Sequence, residues 1–293
     1  MFDHLAPYLL SGTVRLLSWL SLRRAQRLGA WLGRLIWRMN ARLAQTSRDN
    51  LSRCFPQLDE GELASLCLRS LEETGKFGTE SGMITCWEKT RWLALITQVS
   101  GWEHFEAAAS AGRGVLILAP HFGSWELFNL YAGSRIDLTV LYKPPELPAL
   151  NPIFKRVRGR SGSNMVPMNA AGIRAVYRAL RGGRAAGLLP DQVPDPTAGI
   201  IAPFFGHPAL TMTFAHRLIR ATKPVVLFCF ARRLPDAAGY AIGIDPAPDG
   251  VYDEDPLICA TAINDAVEKI VRVDPAQYQW EYKRFKLPRE RRS

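Results

Sequence analysis

The sequence predicts an α/β layer fold: a mixed, mostly parallel central sheet flanked by helices, with a helical region ahead of it. Two patterns predict this. From about residue 95, short apolar runs alternate with helical stretches, the order produced when parallel strands are joined by crossover helices. Ahead of that point, apolar residues recur at helical spacing alone. The chain has 293 residues, 47% hydrophobic and 22% charged. That size and balance suit one large domain with a helical appendage, not two large domains or a disordered chain.

The elements follow in chain order. Residues 5–22 are apolar but interrupted by Pro7, Gly12 and Arg15. An arginine at a helix centre costs roughly 2.5–3.5 kcal/mol on insertion scales, so a full bilayer span there is weakly supported. Leu28, Trp31, Leu32, Leu35, Ile36, Met39 and Leu43 then recur at helical spacing as one apolar stripe. Arg27, Arg34, Arg38 and Arg42 fall mostly on other faces, and Trp19, Trp31 and Trp37 supply rings suited to a headgroup layer. Such a helix lies well in a bilayer interface. It also fits an ordinary helix packed on its own domain, but nine arginines against one acid between Arg15 and Arg53 favour the membrane. Residues 1–45 are therefore assigned to basic, amphipathic, membrane-associating helices, and 46–293 to the α/β domain, with a helical lead-in to about residue 90. A helix at 59–84 opens that lead-in, its Asp59, Glu60 and Glu62 placed where the helix dipole favours acids.

Strands are expected at 95–99, 115–119, 138–142, 164–167, 186–189, 225–231 and 240–244, with helices between them at 102–111, 125–133, 150–159, 171–181, 211–221 and 255–273.

A net charge of +10 and a pI of about 9.6 suit an anionic membrane surface, acidic substrates or nucleic acid. Residues 155–184 carry eight basic side chains and no acid, and the tail from Lys283 to Arg292 adds six against Glu290. Aromatics do not interleave with these runs as in an RNA-binding sheet, which argues against nucleic acid. The five cysteines show no CxxC spacing, so neither a disulfide framework nor a zinc site is expected. His207 and His216 read as loop and helix residues, and neither a G-x-S-x-G elbow nor a phosphate loop is present.

The chemistry gathers after the strand at 114–120, which runs into His121-Phe-Gly-Ser-Trp-Glu126. On a continuous helix, five residues would turn these two side chains about 140° apart. Pro120 and Gly123 break the chain, so His121 hangs from a strand end while Glu126 projects from the first turn of a helix capped by Ser124. A carboxylate beside one imidazole nitrogen fixes the tautomer and lets the other nitrogen act as a general base. Asp191-Gln192, after another apolar run, stands where a strand end lines a site mouth or simply starts a loop. An arginine in the basic stretch is a clamp for phosphate or a developing oxyanion, or a solvated surface residue.

The segment 121–126 resembles the HxxxxD/E motif of the bacterial late lipid A acyltransferases, the lauroyl/myristoyl branch of the glycerolipid (lysophospholipid-type) acyltransferases. Further matches follow in order: Asn50-Leu-Ser-Arg-Cys-Phe-Pro56, Leu188-Leu-Pro-Asp-Gln192, Pro203-Phe-Phe-Gly206 and Gln277-Tyr-Gln-Trp-Glu-Tyr-Lys-Arg-Phe-Lys286. The resemblance implies a glycerolipid acyltransferase-like fold, His121 as base, Glu126 as its orienting partner, Asp191 as the strand-end acid, and Arg160 as the binding or oxyanion arginine, with Arg158 as the alternative. It implies acyl transfer from an acyl carrier protein thioester to a hydroxyl of a phosphorylated, Kdo-bearing glucosamine lipid A precursor. No metal or redox cofactor is implied, and the implied location is the cytoplasmic face of an inner membrane, peripheral or held by one N-terminal anchor. The same dyad and fold serve acyl-CoA-dependent acylation of another glycolipid, such as a phosphatidylinositol mannoside. A non-enzymatic peripheral membrane protein is the alternative of another class.

Overall fold

The computed structural model describes residues 2–145 and 151–287. The expected helix start at Leu150 and the basic tail beyond Leu287 lie outside them. The chain opens with α1 (Phe2–Leu17), α2 (Leu22–Arg38), α3 (Arg42–Cys54), the long α4 (Glu60–Cys86) and the short α5 (Lys89–Leu93). A capping box starts α4: the Asp59 carboxylate accepts from Glu62 N–H at 2.8 Å, and Glu62 accepts from Asp59 N–H at 3.0 Å. The division drawn after residue 45 falls inside α3.

Helix α2 packs on α4 through small residues rather than through its apolar stripe. A Cβ on Gly33 would meet the Leu71 carbonyl oxygen at 2.3 Å, and one on Gly75 would meet that of Gly29 at 2.0 Å. The buried face of α2 is Leu22, Ala25, Gln26, Gly29, Ala30 and Gly33. Leu28, Trp31, Leu35 and Met39 consequently face outward, with Trp31 at 55% and Met39 at 69% exposure. Leu43, at the start of α3, and Trp19, ahead of α2, are exposed as well. The packed-helix reading holds for the small-residue face, and the apolar stripe is left facing outward. No described helix is long and apolar enough to cross a membrane.

The α/β part follows as β1 (Ile96–Ser100), α6 (Glu103–Ser110), β2 (Val115–Leu118), α7 (Trp125–Gly133), β3 (Leu138–Tyr142), α8 (Asn151–Gly159), β4 (Asn164–Pro167), α9 (Ala170–Arg181), β5 (Ala185–Leu188), β6 (Gly199–Phe204), β7 (His207–Met212), α10 (Phe214–Thr222), β8 (Val225–Arg233), β9 (Tyr240–Pro246) and α11 (Pro256–Val273). The seven-stranded sheet has the order β1-β9-β8-β2-β5-β3-β4. Only the β8–β9 pairing is antiparallel. Alternate residues of β2 enter opposite cores: Leu116 and Leu118 pack with Val226 and Phe228, while Val115 and Ile117 pack with Leu227 and Cys229. Burial on both faces explains why the strand reads as an unbroken apolar run.

All seven expected strands lie in this sheet, but the sequence does not predict the second one. Strands β6 and β7 form a separate antiparallel hairpin, closed by Phe205 (φ 49°) and Gly206 (φ 73°) as a two-residue turn. The helix expected from residue 211 therefore begins only at Phe214, and His207 opens a strand instead of lying in a loop. Pro203 and Pro208 pair across the hairpin, each lacking a ladder N–H. Proline within a run is a signal against a strand, and here it hid two.

Candidate active site

The site is built where β2 and β5 end side by side. These strands pair in parallel with Leu118 opposite Leu188; three residues further along each chain stand His121 and Asp191. The Asp191 carboxylate takes two hydrogen bonds from His121, from the backbone N–H at 2.8 Å and from Nδ1 at 2.9 Å. One carboxylate thus fixes both the ring and the backbone that carries it. Asp191 is buried at 2% exposure. Burial alone would push its carboxyl up, but the His121 charge and hydrogen bonds, with Arg284 beyond, outweigh this and hold it below the usual carboxylate range.

The turn after His121 is locked by neighbouring chain. Gly123 has φ 59°, and a Cβ there would meet the Ala231 carbonyl oxygen at 2.1 Å. Its N–H donates to Gln277 O at 2.9 Å and that of Ser124 donates to Ala231 O at 2.8 Å, while His121 O accepts from Gln279 N–H at 3.1 Å. Ser124 stands at the N-cap of α7, but its side chain makes no capping hydrogen bond. The C-terminal segment thereby forms one wall of the site. Asn50 holds that wall through Nδ2, which donates to Trp280 O at 2.7 Å and Tyr282 O at 2.8 Å. Phe55, Phe205 and Trp280 pack ring against ring. Three of the sequence segments singled out above meet here.

Glu126 and the arginines differ from expectation. Glu126 lies in the first turn of α7, but its carboxylate is taken by Arg158, with Nε at 2.7 Å and a terminal nitrogen at 2.6 Å. Burial pushes the Glu126 carboxyl up, opposed by Arg158 and by the nearby His121 charge. The carboxylate that hydrogen-bonds the imidazole is thus Asp191, because strand register brings it opposite His121, whereas the helical turn carries Glu126 to Arg158. Arg160 is not at the site. Its guanidinium donates to the carbonyl oxygens of Ile84, at 2.7 Å, and Trp87, closing the end of α4. Arg158, two residues earlier, stands over the Trp125 ring at 5.3 Å, and that ring meets the His121 ring edge-on at 5.3 Å.

A cleft of about 300 Å³, counting the space open to solvent, lies beside His121, lined among others by Thr74, Phe77, Trp125, Gln279 and Glu281. The His121 side chain is 12% exposed, and its second nitrogen, Nε2, lies 3.1 Å from Nε2 of Gln192. With Asp191 accepting from Nδ1, the neutral form of the ring keeps its hydrogen there and a lone pair on Nε2. The cavity wall also holds Arg233, whose guanidinium grips Glu80 at 2.8–3.0 Å with both side chains buried. Gln26 of α2 donates to the same Glu80 at 2.9 Å, which ties α2 and α4 to β8. Glu80 and Arg233 do not stand out in the sequence, since nothing in it marks residues 153 positions apart as partners.

Sheet topology and a cavity at its strand ends place the molecule among α/β enzymes that work at the carboxyl edge of a mostly parallel sheet. Over 261 residues it is 30% identical to the lipid A biosynthesis lauroyltransferase of Escherichia coli (strain K12), covering 89% of this chain and 84% of that one. It is 28% identical over 260 residues to the palmitoleoyltransferase of the same organism (88% and 84%), and 24% identical over 261 residues to its myristoyltransferase (88% and 79%). Residues 2–287 match the bacterial lipid A biosynthesis acyltransferase family; the chain belongs to that family and is an O-acyltransferase.

Proposed function

We propose that the protein transfers a fatty acyl group from an acyl carrier protein thioester to a hydroxyl of a lipid A precursor, with His121 as general base and Asp191 as its orienting partner. The observation that carries this is the double hydrogen bond from His121 to Asp191, which leaves Nε2 as the ring's acceptor beside a cavity. Nε2 takes the proton of the acceptor hydroxyl, and the oxygen attacks the thioester carbonyl. The new C–O bond forms, the C–S bond breaks, and the imidazolium returns its proton to the departing thiolate. Asp191 stabilises that imidazolium.

The tetrahedral oxyanion is met by the N-terminal amides of α7, whose first N–H groups lack intrahelical partners, with Arg158 beyond Trp125 adding positive charge. Glu126 holds Arg158 in place. No metal or redox cofactor takes part. The exposed Trp19, Trp31, Leu35 and Met39, set among the arginines of α2, rest the protein on the anionic cytoplasmic face of the inner membrane.

Incubation of the full chain with a lipid A precursor and either an acyl carrier protein thioester or acyl-CoA tests this. One acyl mass gained by the acceptor, faster with the carrier protein thioester, is expected. Faster transfer from acyl-CoA assigns the other donor, and an unchanged acceptor with both donors removes the transferase reading.

A further inference from the structure

We propose that Gln192 guards the base: its carboxamide occupies Nε2 of His121 until an acceptor hydroxyl displaces it, and so keeps water from being activated against the thioester. This rests on the acyl-transfer reading above.

The orientation of Gln192 is fixed from two sides. Its Nε2 lies 3.1 Å from His121 Nε2 and 3.4 Å from Gln279 Oε1. In the neutral ring, whose hydrogen faces Asp191 on Nδ1, both of these are acceptors. Reversing the carboxamide would set an oxygen against a lone pair and a second carbonyl oxygen, so the amino group must face them. Gln279 is held twice, its backbone N–H donating to His121 O at 3.1 Å and its side chain hydrogen-bonding the Glu281 carboxylate. Gln192 follows Asp191 directly, so the residue that orients the base and the one that covers it enter the site on one short stretch of chain.

The lone pair on Nε2 accepts one hydrogen. A hydroxyl that is to lose its proton there must take the place of Gln192, and so must water. Their means differ. A lipid hydroxyl arrives with an acyl chain whose every buried methylene favours binding, whereas water brings only a hydrogen bond equivalent to the one it breaks. Water that did reach Nε2 would be deprotonated and attack the thioester carbonyl. A C–O bond would form, the C–S bond would break, and the proton would pass through the imidazole to the thiolate, giving a free fatty acid and a free thiol. Gln192 is thus a positioning residue that sets the partition of the acyl group between lipid and water.

The test uses the full chain with an acyl carrier protein thioester as donor, measuring thiol release without acceptor and acyl transfer with a saturating lipid A precursor, whose binding already bears the cost of displacing Gln192. In Gln192→Ala the ratio of hydrolysis to transfer rises about tenfold, the loss of one hydrogen bond from a partly buried acceptor. Gln192→Asn, too short to reach Nε2, raises it in the same direction and carries the test should the alanine variant fail to fold. An unchanged ratio in a variant that melts like the wild type overturns the proposal. If the wild type releases thiol but acylates no lipid, the transferase reading falls and the guard role falls with it; transfer by the wild type with an unchanged ratio in the variants removes the guard role alone.

Discussion

Arg233–Glu80 and His121–Asp191 are both couples of a basic side chain with a buried carboxylate, and Arg233 and His121 border the same cavity. In the first, Arg233 spends its donors on Glu80, with Glu73 at 3.4 Å beyond, and is 4% exposed. Although burial works against its charge, Glu80 raises the Arg233 pKa further still, so the guanidinium stays charged. In the second, the carboxylate is fully engaged by His121 but the imidazole keeps one nitrogen for another partner, and its ring is 12% exposed. A saturated couple holds elements together. A couple with one acceptor left over has the means to take a proton.

His121→Ala should show the contrast most sharply, lowering kcat per folded molecule by about 10²–10⁴-fold; equal activity would remove His121 as base. Next comes Asp191→Asn, nearly isosteric, whose amide favours the wrong ring tautomer and lowers kcat by about 10²–10⁴-fold. Full activity in that variant would show that Asp191 only supports the loop. Glu80→Ala inverts the pattern. It strands a buried guanidinium and costs about 3–5 kcal/mol of stability, seen as a lower denaturation midpoint, with turnover per folded molecule little changed.

The pH response separates the partners. Because the Asp191 carboxyl is held below the usual range, the stability it contributes is present above the unfolded value of about 3.9 and is lost as pH falls through its lower folded value. Between pH 5 and 8 it therefore stays ionised, so a fall of kcat/KM toward acid pH in that range reports protonation of a general base and not of Asp191. A flat profile with chemistry rate-limiting would exclude His121 as base. The smallest effect is expected at the surface: Trp31→Ser with Met39→Ser weakens sedimentation with anionic vesicles and leaves the melting curve in place. Undiminished vesicle binding would give the outward stripe another purpose.

Much of the fold was legible because strands such as Val115–Leu118 are apolar on both faces and end in proline or glycine. The β6–β7 hairpin was not, since Pro203 and Pro208 masked its alternation. At the site, His121 stood out through its strand-end position, but the choice between Glu126 and Asp191 as hydrogen-bond partner depends on the register of β2 against β5. No local spacing encodes that. The same holds for Arg158 and Arg160: two residues apart at the end of α8, they go to α7 and to the end of α4, a division that only tertiary packing decides.

Helix α4 has a second consequence. Its Gly75 seats α2 without room for a methyl group, and two residues later Phe77 stacks on Trp125 at 5.5 Å and lines the cavity. The outward stripe of α2 and the mouth beside His121 are therefore geared to one rod. Whatever surface the stripe settles on, the angle at which the mouth meets it is set by the glycine seat, as a keel sets the trim of a hull. A bulkier residue at position 75 would tilt the opening without touching a single reacting atom.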